Sequence, residues 1–314
     1  MRNEKLLDKK LLIFDSEVKY KKKYKKAQTK DAIAFILPHF IGFTVFILLS
    51  IISTFVISFY KWDLLTPAKF VGLQNYIDIF TNDILATKVF QNTLYYTVVS
   101  VILIDVLSLL IALGLNQKIK GIKILRAIYF LPTVASLVGV SLVWIYIYNT
   151  NYGLLNFSLR KVGISNVPAW LSDKNWSMIA VIIMSVWGQI GTFVIIYLGG
   201  LKNIPENLYE AAEIDGVTKW GKFKNITVPL LSPTTFFVVV MTVINSFQVF
   251  EQAYILTNGG PNFSTTTMVL YLYNTGFQSH KMGYACALGW ILFLCIFIIT
   301  LFQNKFQKKW VNYD

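Results

Sequence analysis

Long uncharged stretches alternate with short basic ones along this chain. Asp, Glu, Lys and Arg are missing from Ala32 to Tyr60, Ala127 to Leu159, Asn175 to Leu201, Asn225 to Phe250 and Met282 to Asn304; Val89 to Gln117 is broken only by Asp105. A hydrocarbon core about 30 Å thick is crossed by ~20 apolar residues in helix, so each stretch is long enough to span a membrane. Trimmed to their apolar centres they predict six spans, near 33–59, 91–115, 127–148, 177–200, 230–250 and 284–303. Pro38 and Pro132 fall inside the first and third and predict kinks there. The stretch 252–280 is also uncharged, but it is rich in Asn, Thr, Gly and Gln and reads as an outer loop.

Composition narrows the class. Of 314 residues only 14% are charged and 55% are hydrophobic, with a mean hydropathy of +0.55. Soluble domains carry about a quarter charged residues, so an ordinary soluble enzyme is excluded. The net charge of +13 is mostly a tail, because 11 of the 29 Lys/Arg precede position 31. A nucleic-acid binder would need that charge on a folded face, so no nucleic-acid partner is expected. Cys286 and Cys295 are too few for a disulfide framework. His39 and His280 are too far apart for a His metal site, and no catalytic constellation stands out.

Basic residues favour the cytoplasmic side. With six spans, 22 Lys/Arg fall on the side of the two termini and seven on the other, so both termini are expected in the cytoplasm. The first apolar stretch is too long for a signal-peptide core and ends in the interface residues Tyr60, Lys61 and Trp62. The predicted organisation is a basic tail over 1–30, an all-α integral membrane domain over 31–304 and a short tail over 305–314. The N-terminal tail is expected to act as a positive-inside topology signal, the alternative being that it binds anionic lipid headgroups. No soluble domain of useful size remains, so any ATP-hydrolysing part belongs to another chain.

The loop over 202–229 is the most informative segment. Pro205 suits the first turn of a helix. Glu206, Glu210 and Glu213 place negative charge early, where the helix dipole favours it. Leu208, Ala211 and Ala212 share a face. Gly216 is placed to stop the helix in the left-handed conformation. A second short helix is predicted from Thr218 to just before Pro229, whose ring blocks continuation. This pair of helices is either a plain interfacial connector or a docking element, with Glu210 answering a basic group on a partner. Gly216 to Lys222 imitates a P-loop, but Phe223 stands where the magnesium-binding Ser or Thr belongs, so nucleotide binding by this chain is rejected.

The order Glu210-Ala211-Ala212, then Asp215-Gly216, then Ile226-Thr227-Val228-Pro229-Leu230 resembles the EAA motif of ABC-importer permeases. Leu256-Thr257-Asn258-Gly259-Gly260-Pro261 resembles the signature of the first permease subunit in carbohydrate importers of the maltose and glycerol-phosphate type. The segment Phe70-Val71-Gly72-Leu73-Gln74-Asn75-Tyr76 is similar to the same subunits. The resemblance covers the chain from about Ile33 onward and implies a MetI-like bundle. It further implies a second homologous permease, two cytoplasmic ATPase subunits that hold the ATP and Mg, and an extracellular solute-binding protein. This chain would then hold no cofactor and catalyse nothing, and Glu210, Ala211, Ala212, Asp215 and Gly216 would couple it to the ATPase in a bacterial cell membrane.

Polar residues inside the spans are candidates for the solute path. Thr242, Asn245 and Ser246 lie close together on one face of the fifth span, with Gln248 and Gln252 further out. Trp187, Gln189 and Thr192 lie in the fourth, where Gly188 and Gly191 would loosen the helix. By the resemblance, Gln189, Thr192, Thr242 and Ser246 fall where maltose-type permeases line their sugar site. Interhelical hydrogen bonding is the alternative use of such groups. Asp105, with Ser108 beside it, is expected to bond neighbours in the bundle rather than bind a proton. The expected solute is a sugar or oligosaccharide. A glycerol phosphate is the alternative, and an ion-coupled carrier or a membrane-embedded enzyme would need more intramembrane charge or clustered acids.

Overall fold

The computed structural model describes residues 32–117 and 120–311 of the chain. Residues 1–31, which include the basic tail, 118–119 and 312–314 lie outside the described residues. Two compact units emerge, one through Val56 and one from Ile57 onward. The first contains most of helix α1, Ala32–Ile57. Pro38 does not break α1, which runs on through it and widens into a π-helical stretch at Phe43–Leu48.

The second unit opens with a two-stranded ribbon, β1 Tyr60–Lys61 and β2 Lys69–Phe70. Helices α2 Gln74–Thr81 and α3 Ile84–Leu115 follow. The third predicted span is two helices, α4 Ile122–Val134 and α5 Leu137–Ile147, bent by 100°. The bend is sharper than a proline kink. Pro132 stays inside α4, and the turn is made by Ala135 and Ser136, both with extended ψ. Next come α6 Leu154–Lys161, α7 Ser177–Lys202 and the short α8 Glu206–Ile214. Helix α9 runs Lys219–Phe247. The chain ends with α10 Glu251–Thr257, α11 Met268–Tyr273 and α12 Met282–Gln307. Five helices are long and apolar enough to cross a membrane, or six spans if the bent pair counts as one.

Two starting points differ from the hydrophobic pattern. Helix α3 begins seven residues before the predicted span. Asp83 caps it by accepting from the Ala86 amide at 2.9 Å, which satisfies one of the four unpaired N–H groups of a helix start. Helix α9 does begin at Thr218, whose side chain accepts from the Gly221 amide. It does not end before Pro229. A π-turn over Phe223–Thr227, closed by Val228 N–H to the Phe223 carbonyl, precedes the proline. The wider turn shifts the bonding register by one residue, so the missing N–H falls where the helix is already rearranged.

Helices α3, α7 and α9 form the packed centre, around Tyr96, Ile104, Val181, Met184, Tyr197, Leu231 and Val238. Lipid tails are as apolar as these side chains, so close backbone approach does the holding. Gly191 meets the Tyr129 carbonyl so closely that an added Cβ would stand 2.2 Å from it, and one on Gly200 would stand 2.4 Å from Thr234 Oγ1. Gly191 is therefore a packing contact rather than a loosened point. Gly188 has nothing within 4 Å.

The stretch 252–280, expected as an outer loop, is ordered by helices α10 and α11 and a π-turn over Asn274–Gln278. The Leu256–Pro261 motif turns the chain between them. Leu256 is buried, Asn258 closes α10 at φ +48, and Gly259 takes φ +84 against Thr266. Asn92 of α3 donates to the Phe263 and Thr266 carbonyls at 2.7 and 3.1 Å, and Lys88 donates to the Asn262 carbonyl at 2.6 Å. These long-range bonds supply the order that a polar, glycine-rich sequence conceals.

Candidate functional site

Helix α8 is built as the charge pattern predicts, with Pro205 one position earlier, at the N-cap. Its C-terminus stops at Gly216, which takes φ +73. Two side chains one turn apart tie α8 to the base of α9. Tyr209 and Thr227 share a hydrogen bond of 2.9 Å between hydroxyls, and Lys222 Nζ lies 2.8 Å from Glu213 Oε2. The Lys222 ammonium, by hydrogen bond and charge, holds the Glu213 carboxyl below its ordinary value. Both bonds land on or beside the π-turn. Glu210 and Ala211 of α8 and the following Asp215 and Gly216 are exposed, and Ala212 is half-buried. Ile214 is 87% and Trp220 70% exposed, so apolar groups flank the charged ones on a surface without an intrachain partner for Glu210 among the described residues.

A second feature lies at the far end of α9. The helix stops at Phe247, and Gln248 and Phe250 leave helical geometry before α10 starts. This break turns several polar side chains into an open pocket of ≈ 330 Å³ lined by Gln189, Asn245, Gln248, Glu251 and Gln252, with Leu137, Val249 and Phe250. Phe250 stacks on Tyr254 with ring centroids 5.4 Å apart. Of the five predicted path residues the structure brings only Gln189 and Asn245 together here. Thr192 is exposed elsewhere on α7. Ser246 is buried, and its hydroxyl has no hydrogen-bond partner among the described residues.

Thr242 is fully buried and donates to Asp105 Oδ2 at 3.0 Å. Tyr197 donates to Asp105 Oδ1 at 3.4 Å. Asp105 thus binds α3 to both α7 and α9, as a charge kept inside a bundle requires. Ser108 does not assist it, because its hydroxyl donates back to the Ile104 carbonyl. Glu251 was not legible as a pocket residue, since it reads as the acid ending the fifth apolar stretch. The only hint was its place beside Gln248 and Gln252.

No group of three His, Cys, Asp or Glu among the described residues could hold a metal ion. A polar pocket thus lies at a helix break, and an exposed charged helix at the opposite end of the same span. Comparison with known proteins makes the class specific. Residues 106–312 match the family described as the binding-protein-dependent transport system inner membrane component. The chain belongs to that family. It is 35% identical to the trehalose/maltose transport system permease protein MalF of Thermococcus litoralis, over 94% of this chain and 99% of that one. It is 33% identical to the sn-glycerol-3-phosphate transport system permease protein UgpA of Agrobacterium fabrum, over 78% and 83%. A solved bacterial ABC transporter, involved in import of the acidic polysaccharide alginate, superposes with a TM-score of 0.80 at 25% identity, covering 90% of this chain and 98% of that one. The chain is a multi-pass ABC-importer permease of the sugar-transport type.

Proposed function

We propose that this chain is one path-forming permease of an ATP-driven importer of a sugar or oligosaccharide. It pairs with a second, related permease, sits on two cytoplasmic ATPase subunits and receives solute from an extracellular binding protein. Both termini face the cytoplasm of a bacterial cell. The observation that carries the reading is α8. Glu210 is exposed and free of intrachain partners among the described residues, while Tyr209 and Glu213 of the same helix are bonded to the base of α9.

An ATPase that engages Glu210, Ala211, Ala212, Asp215 and Gly216 can thereby displace α9 directly. The other end of α9 carries Asn245 and the pocket it shares with Gln189. Differential affinity of the ATPase for two arrangements of α8 then becomes a change in access to the pocket. Gln189, Asn245, Gln248 and Gln252 supply amide donors and acceptors for sugar hydroxyls, and Phe250 supplies an apolar face. ATP and Mg act on the ATPase, and this chain supplies no chemical step. A glycerol phosphate is the second reading, favoured by the likeness to UgpA.

Co-expression of the chain with its neighbouring permease and ATPase, reconstitution into vesicles and measurement of ATP-dependent oligosaccharide uptake tests this. Glu210→Lys is expected to abolish ATPase association and uptake at normal membrane levels. Uptake by the chain alone without nucleotide would overturn the reading.

A further inference from the structure

The pocket at the break between α9 and α10 gathers five polar side chains, Gln189, Asn245, Gln248, Glu251 and Gln252. Among the described residues none of the five forms a side-chain hydrogen bond or an ion pair. Four are amides, which donate and accept alike. The fifth, Glu251, is exposed and is the single charged group on the pocket wall, where no described Lys, Arg or His stands. Family membership leaves the charge of the solute open, since one relative is named for trehalose and maltose, which are neutral, and another for sn-glycerol-3-phosphate, an anion.

The lining treats the two classes differently. An anion taken from water is held where positive charge or charge-assisted donors meet it. In this pocket a phosphate or a uronate would meet amide N–H groups and a carboxylate, which has no proton to give. The same carboxylate accepts from the hydroxyls of a neutral sugar, and charge-assisted bonds of that kind are stronger than neutral ones. A site discriminates by repelling one class as well as by attracting another. Glu251 also opens α10, where the helix dipole favours an acid. That use suits its place in the chain but supplies no counter-ion in the pocket.

We infer that Glu251 sets the solute class of this permease: uncharged oligosaccharides enter the pocket, and phosphorylated or uronate-bearing ones are refused. That the solute is a saccharide rests on the importer reading above; that it is uncharged rests on the lining of the pocket. Of the two readings given for the solute, the sugar is thereby favoured over the glycerol phosphate.

The test uses the full chain assembled with its neighbouring permease and ATPase, so that any charge the partner brings to the pocket is included. Cys286 and Cys295 are replaced by Ala, and one reporter thiol is placed on the pocket wall by Leu137→Cys or, in a separate protein, by Gln248→Cys. Each thiol is reacted with a cationic and an anionic methanethiosulfonate of similar size, and each rate is divided by that of a free thiol in solution. The cationic reagent is expected to be favoured by about fivefold or more, less so as salt rises. Glu251→Gln is expected to abolish the preference and Glu251→Lys to invert it. Among maltotriose, raffinose and arabinotriose, at least one is expected to protect the thiol, while trigalacturonate and glycerol 3-phosphate do not. A preference that survives Glu251→Gln while the melting temperature falls would assign Glu251 to the start of α10 alone and overturn the inference. Protection by either anion at or below the concentration needed for a neutral sugar would overturn it too, as would protection by none of the three sugars. The reagent preference is read without transport, so failure of ATP-dependent uptake would count against the permease reading and leave the charge of the pocket as measured.

Discussion

The Thr242 hydroxyl donates to the Asp105 carboxylate at 3.0 Å, joining the fifth span to the second. The hydroxyl of this threonine, placed by alignment in the solute path, lies within reach of a half-buried acid and of the Val238 carbonyl at 2.9 Å. Thr242→Val would leave the carboxylate with the single long bond from Tyr197. Leaving a half-buried carboxylate short of a partner costs about 1 kcal/mol. The expected outcome is a lower melting temperature in detergent with the uptake KM unchanged. An altered KM at unchanged melting temperature would return Thr242 to the path.

Gln189 and Asn245 line one pocket from two different helices. Replacing either by Ala removes amide donors and acceptors from a bound sugar. Each neutral hydrogen bond is worth about 0.5–1.5 kcal/mol, so KM is expected to rise by roughly three- to tenfold with folding unaffected. Thr192→Ala, outside the pocket, is expected to leave KM alone. Uptake kinetics over a range of solute concentrations separates the two cases.

Tyr209 and Thr227, with Glu213 and Lys222, fasten α8 to α9. Tyr209→Phe and Thr227→Val remove the same hydrogen bond, so a double-mutant cycle on thermal stability should return a coupling of about 0.5–1.5 kcal/mol. The functional expectation is sharper. Uptake falls while ATP hydrolysis by the assembled complex continues, because the ATPase still engages Glu210 but no longer moves α9. Parallel loss of hydrolysis and uptake would show that the bond only keeps the loop folded.

Gly188 and Gly191 stand one turn apart on α7 and should respond oppositely. A Cβ at Gly191 would collide with the Tyr129 carbonyl, whereas one at Gly188 meets open space. Gly191→Ala is expected to cost about 1–3 kcal/mol through overpacking. Gly188→Ala is expected to gain a few tenths to about 1 kcal/mol through helix propensity. Melting temperatures of the two purified variants decide this directly.

Burial alone would raise the Asp83 carboxyl, but the donors Tyr271, Tyr284 and Ala86 outweigh it and hold the group below its ordinary 3.8. A carboxyl whose pKa falls on folding stabilises the fold above its unfolded value and loses that contribution as pH falls through the folded one. The contribution is therefore expected to be constant above about pH 5 and to decline below about pH 4. Asp83→Asn should flatten the acid limb of a plot of melting temperature against pH and lower the plateau.

The spans themselves could be read from the chain, because lipid imposes a length and an apolarity that soluble folds do not. Gly216 as a left-handed stop and Thr218 as a helix start were equally legible, being local backbone chemistry. Pro229 was not, since a proline ends a helix only if the preceding turn is α-helical, and here it is a π-turn. The helices hidden in 252–280 were invisible for a related reason. Their order comes from Lys88 and Asn92, roughly 170 positions away in the chain.

What the sequence determined alone was the membrane class, the long apolar helices and the helix–turn–helix that carries Glu210. Each follows from interactions within a few residues or from transfer into lipid. Which polar groups line an open pocket and which face one another was decided only by the tertiary structure. Thr242 and Asn245 lie three residues apart on one helix, and their environments differ because Asp105 stands beside the first and Gln189 beside the second.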